Sequence, residues 1–143
     1  MDHNLIGTWH LVGFELKSED GSDVLYPFGE KPSGQLIYTR DGFMSVALHS
    51  SDRAAFSSDD ILSGTPAEFQ MAMQTYSSYS GRIAVPEKGK LVHIIEHSLF
   101  PNWVGHSEER YYHISNETLT LTTDLFFIAG SERVGVVTFQ KAL

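Results

Sequence analysis

The chain has no cysteine among its 143 residues, which excludes a disulfide staple, a thiol nucleophile and a thiolate metal site. Its stability has to come from packing. No apolar run approaches the roughly 20 residues that a helix needs to cross a bilayer. The opening Met1, Asp2, His3 and Asn4 lack the character of a secretory leader, so the expectation is a cytoplasmic protein without a membrane partner. Basic residues are scarce, 10 against 18 acidic ones, and the resulting charge of −8 repels phosphate backbones. Nucleic acid is therefore not an expected partner. The sequence has no Gly-x-Ser-x-Gly elbow, and its 12 glycines form neither a P-loop nor a dinucleotide fingerprint. That argues against a serine nucleophile and against nucleotides, and no cofactor is expected.

What is present is a foldable composition: 41% hydrophobic and 12% aromatic against 20% charged residues, enough apolar surface to offset the entropy of ordering. A chain of this length encloses one sizeable core, so residues 1–143 are expected to form one domain. About eight short β-rich runs are separated by Gly, Pro, Asn and Asp: Thr8 to Leu16, Val24 to Tyr26, Gly34 to Thr39, Phe43 to Ser50, Arg82 to Val85, Leu91 to Phe100, His106 to Ile114 with Thr118 to Thr123, and Arg133 to Gln140. Asp20-Gly21 and Asp41-Gly42 tolerate the positive φ of tight turns and predict reversals. One segment departs from this pattern. Thr65-Pro66-Ala67-Glu68 reads as a capping box, and Phe69, Ala72, Met73 and Tyr76 follow at helical spacing, with Gly81 as the stop after Ser80. The expected fold is all-β, a closed antiparallel barrel with one α-helix packed on it or capping one end.

Gly7-Thr8-Trp9 matches the Gly-x-Trp element of lipocalins and related calycin barrels, with Lys141 placed to supply the base that lies across the indole. A longer set follows in order: Leu5 to Trp9, Tyr26-Pro27 with Gly29, Leu36-Ile37-Tyr38-Thr39-x-Asp41-Gly42, Tyr79-Ser80-Gly81-Arg82, and Ser98 to Gly105 followed by Arg110. Over nearly its whole length the chain resembles the lipocalin-like domain family of bacteria and fungi, some of whose members lie beside secondary-metabolite genes. The resemblance implies a barrel with an internal pocket, and an activity like that of cofactor-free isomerases or cyclases.

A hairpin turn centred near Trp103 would set Glu96 opposite Arg110, Ile94 opposite Tyr112 and Val92 opposite Ile114, all on one face. That face is apolar except for one acid and one base, as a ligand cavity with a polar anchor should be. Glu96 and Arg110 are the expected catalytic pair, moving a proton and stabilising negative charge in an isomerisation or ring closure. A plain cross-strand ion pair is the competing explanation. The opposite face carries His93, His97 and His113, and His97 is the candidate proton donor should that face point inward. His93 and His97 are too far apart on a strand, roughly 13 Å, to share an ion, and no metal site is expected. Tyr38, Tyr79, Trp103, Tyr112, Ile94 and Phe100 are the candidate ligand contacts. The expected partner is a small apolar molecule such as a polyketide, terpenoid or prenylated aromatic, either converted or only carried. This expectation leaves room for a homodimer.

Overall fold

A computed structural model describes residues 1–142. Ten strands follow in chain order: β1 (Gly7–Ser18), β2 (Val24–Leu25), β3 (Ser33–Tyr38), β4 (Phe43–His49), β5 (Tyr76–Glu87), β6 (Lys90–Ser98), β7 (Ser107–Ser115), β8 (Thr118–Thr122), β9 (Phe126–Ile128) and β10 (Ser131–Lys141), with one helix, α1 (Pro66–Gln74), before β5. Eight of them form a ring, β1-β3-β4-β5-β6-β7-β8-β10, which closes where β10 pairs antiparallel with β1. β2 and β9 add short pairings to β1 and β10. The closed antiparallel barrel expected from the sequence is what forms. Closure leaves the eight ring strands without a free edge.

The turn signals act as their chemistry requires. Gly21 and Gly42 take φ values of +76° and +91° at the reversals after β1 and β3. The helix starts at its capping box, with Thr65 Oγ1 accepting from the Glu68 N–H and Glu68 accepting from the Thr65 N–H. It ends at Gln74 and not at Ser80. Tyr76 to Gly81 are strand instead, paired with Met44 to His49, because Ser-rich sequence with Tyr favours a pleated ladder over a helix. The preceding segment is fastened to α1: Arg53 donates to Thr75 Oγ1 and the Ala72 carbonyl, Ser57 N–H donates to Glu68, and Phe56 meets Phe69 edge-on. Among the described residues no helix is long and apolar enough to cross a membrane.

Side chains fill one half of the barrel and leave the other half hollow. At the closed end Trp9 is 1% exposed, its indole N–H donates to the Leu5 carbonyl, and Lys141 Nζ stands 4.5 Å from the ring centroid while donating to the Ile6 carbonyl. Leu5, Tyr38, Met44, Ile83, Leu91 and Leu119 pack with it. A bulge in β1 between Leu11 and Gly13 throws Val12 outward and resets the alternation, so that Leu11, Phe14 and Leu16 can all turn away from solvent.

Candidate functional site

The hollow half is a cavity of about 810 Å³, within the range of small-molecule sites and walled mainly by apolar side chains. Phe28, Val46, Leu48, Leu121 and Val137 supply much of its wall, and Phe100 and Trp103 stand near the rim, edge-on at 5.3 Å. Met73 and Gln74 of α1 also contribute.

The β6–β7 ladder differs from the sequence expectation. Leu91 pairs with Arg110 and His93 with Glu108, because the ladder stops near Ile95 and His106 and the connection between them is long and asymmetric. Relative to a turn centred at Trp103 the register shifts by five residues. An odd shift reverses the faces of the two strands relative to each other. Leu91, His93 and Ile95 therefore share the interior with Glu108, Arg110 and Tyr112.

Glu96 and Arg110 are consequently not brought together. Glu96 is exposed, with its carboxylate 3.8 Å from Arg82, and Ile94 lies on the outward side as well. His97 is exposed too, although it shares odd numbering with His93. Gly81 pairs with Ile95 while Ser80 pairs with His97, so Glu96 is an extra residue in a bulge that reverses the alternation beyond it. Tyr112 is interior but belongs to the closed end, where its hydroxyl donates to Asp2. Tyr79, Trp103 and Phe100 border the cavity, and Tyr38 lies behind that wall, 1% exposed. Because Glu96 meets only a half-exposed arginine outside, Glu96→Gln is expected to change stability by less than about 0.5 kcal/mol and to leave ligand affinity unchanged. Chemical denaturation and a ligand titration check this.

At the base of the cavity is a group that the barrel's register brings together from three strands. His93 is 1% exposed and bonded at both ring nitrogens, Nε2 to the Tyr38 hydroxyl and Nδ1 to the Tyr79 hydroxyl, each at 2.7 Å. Burial, with the nearby Arg110 charge adding to it, pushes its pKa down to about 3, so the imidazole is neutral near physiological pH. A neutral ring has one N–H, which fixes the direction of the chain. Tyr38 is wholly enclosed with no other hydrogen-bond partner among the described residues, so its proton goes to Nε2. Nδ1–H then donates to Tyr79, which leaves the Tyr79 hydroxyl proton for the cavity.

Arg110 lies beside this group. Its Nη1 donates to the Glu109 carbonyl and stands 3.5 Å from the Glu108 carboxylate. Burial raises the Tyr79 pKa and Arg110 opposes the rise, so the phenol stays protonated and polarised. The cavity thus joins aromatic and aliphatic walls to the oriented O–H of Tyr79, the Arg110 guanidinium and the Glu108 carboxylate, with further polar side chains such as Ser77 and Asp124 also in its lining.

Comparison with known proteins agrees with this geometry. Over 90 residues the chain is 37% identical to the 4'-hydroxy-3'-methoxypropiophenone carrier protein of Aspergillus oryzae, an alignment that covers 57% of this chain and 81% of the carrier. Cavity and likeness together support binding of a small molecule. Residues 6–142 match the sequence model of the lipocalin-like domain, and the chain belongs to that family.

Proposed function

We propose that this protein binds and carries a small, largely apolar molecule of secondary metabolism through an acceptor oxygen held at Tyr79 and Arg110. The observation that carries the reading is the Tyr38–His93–Tyr79 chain at the wall of an apolar cavity, whose direction, argued above, leaves the Tyr79 hydroxyl proton without an acceptor among the described residues. A ligand carbonyl satisfies that donor, and a ring or alkyl body covers the remaining wall. Aryl ketones have both parts, as does the propiophenone named for the fungal relative.

Titration with propiophenone, followed through Trp103 fluorescence, tests the reading. Tyr79→Phe should weaken binding about 5- to 10-fold, the worth of one neutral hydrogen bond, and Arg110→Met about 10-fold or more. Undiminished affinity in both variants, or no binding by the parent protein, would overturn it.

The isomerase or cyclase reading of the same cavity is supported by the same donors, which suit an oxygen that gains negative charge. With Glu96 outside, that reading needs another base.

A further inference from the structure

Glu108 is the acidic side chain that the barrel sets beside the donor chain. It stands directly across the ladder from His93, on the same face, where opposed Cβ atoms are about 5 Å apart. It borders the cavity, and its carboxylate and the Arg110 guanidinium are neighbours. Its side chain keeps 33% exposure, which lets the carboxylate exchange protons with water through the open end. Tyr79, Arg110 and Glu108 therefore gather at one region of the cavity wall, beside the place where a bound carbonyl would lie.

We infer that the cavity catalyses reversible enolisation of a bound ketone, with Glu108 as the base at the α-carbon and Tyr79 and Arg110 as the donors to the carbonyl oxygen. The inference rests on the binding reading above. Glu108 takes the α-proton, the C–H electron pair becomes the new C=C bond, and the carbonyl π pair moves onto oxygen, where the two donors stabilise it. Return of a proton from Glu108 to the same carbon restores the ketone. Nothing is oxidised or reduced and no co-reactant is consumed. In light water the result is exchange or inversion at the α-carbon; in heavy water it is deuterium incorporation.

Outside the protein a carboxylate is a weak base toward a ketone, so the effect depends on the two oxygen donors being held in place by the strands that carry them. A carrier with this arrangement would also equilibrate the stereocentre next to its ligand's carbonyl. The substrate class is accordingly a ketone with at least one α-hydrogen.

Proton NMR of propiophenone in heavy water near neutral pH tests this. The methylene signal should decay with the wild-type protein about 100-fold faster than in buffer, a typical gain from positioned acid and base groups. Glu108→Gln should return the decay to the buffer rate while saturation-transfer signals show the ketone still bound, and Tyr79→Phe should reduce both binding and exchange. Bound ketone whose methylene decays no faster than in buffer, or equally fast with Glu108→Gln, would overturn the inference and leave the binding reading standing. Absence of a saturation-transfer signal from the wild-type protein would overturn both.

Discussion

Acidification from about pH 7 to about pH 4 is expected to lower the unfolding free energy by about 3 kcal/mol through His93 alone. Burial depresses the folded-state pKa to about 3, whereas in the unfolded chain the imidazole returns to its ordinary 6.5. Between those two values the unfolded state binds the additional proton, so acid favours unfolding. The contribution is fully present above the unfolded value and is lost progressively as the pH falls toward the folded one. Urea unfolding of wild type and His93→Gln at both pH values isolates the effect. The Gln variant starts from a lower stability, because a phenol loses its imidazole partner, but its dependence on pH over this window should be shallower by the His93 share. Parallel pH dependences in the two proteins would contradict the burial and neutrality on which the direction of the Tyr38–His93–Tyr79 chain depends.

Gly81→Val should cost about 3 kcal/mol or more, a large fraction of the roughly 5–15 kcal/mol that holds a domain folded. A Cβ at Gly81 would collide with the Ile94 carbonyl oxygen and stand 2.9 Å from the Glu96 backbone nitrogen. Both obstacles are backbone atoms of the bulge in β6, and neither can move without breaking the β5–β6 ladder. The bulge lets Tyr79 face the cavity while His97 faces solvent, so the substitution should also impair ligand binding. Gly13 has nothing within 4 Å of a Cβ, and Gly13→Ala should stay within about 1 kcal/mol of wild type. Denaturant melts of both variants decide the matter. Equal effects at the two positions would show that the bulge does not constrain Gly81.

Barrel closure and the plugged end were legible through the family resemblance, because Gly7-Thr8-Trp9 and Lys141 carry its pattern at the two ends of the chain. The reversals at the Asp-Gly pairs were legible from short-range chemistry, since the positive φ of Gly21 and Gly42 is a property of the turn itself. The helix start was legible for the same reason, since its capping box lies within four residues. The candidate site was less so. On β6 the two faces, Leu91, His93 and Ile95 against Val92 and Ile94, are both apolar, so alternation gave no contrast from which to choose the inner one. The bulge at Glu96 packs against a different strand at Gly81, where only a residue without a Cβ fits, and nothing near Glu96 announces it. Tyr38, Tyr79 and His93 come from three strands, and their juxtaposition is a product of register. Tyr38 and Tyr79 were readable as candidate aromatics from the family pattern, but the residue that joins them was not. A single His among aliphatic neighbours was its only trace.

A crystal structure of the protein soaked with propiophenone decides whether the barrel holds a ketone by its oxygen. Density for the ketone is expected in the hollow half of the barrel, its ring among Phe28, Phe100 and Trp103 and its oxygen about 3 Å from Tyr79 Oη. Ketone bound only outside the barrel, or inside it with the oxygen turned away from Tyr79 and Arg110, would contradict this expectation.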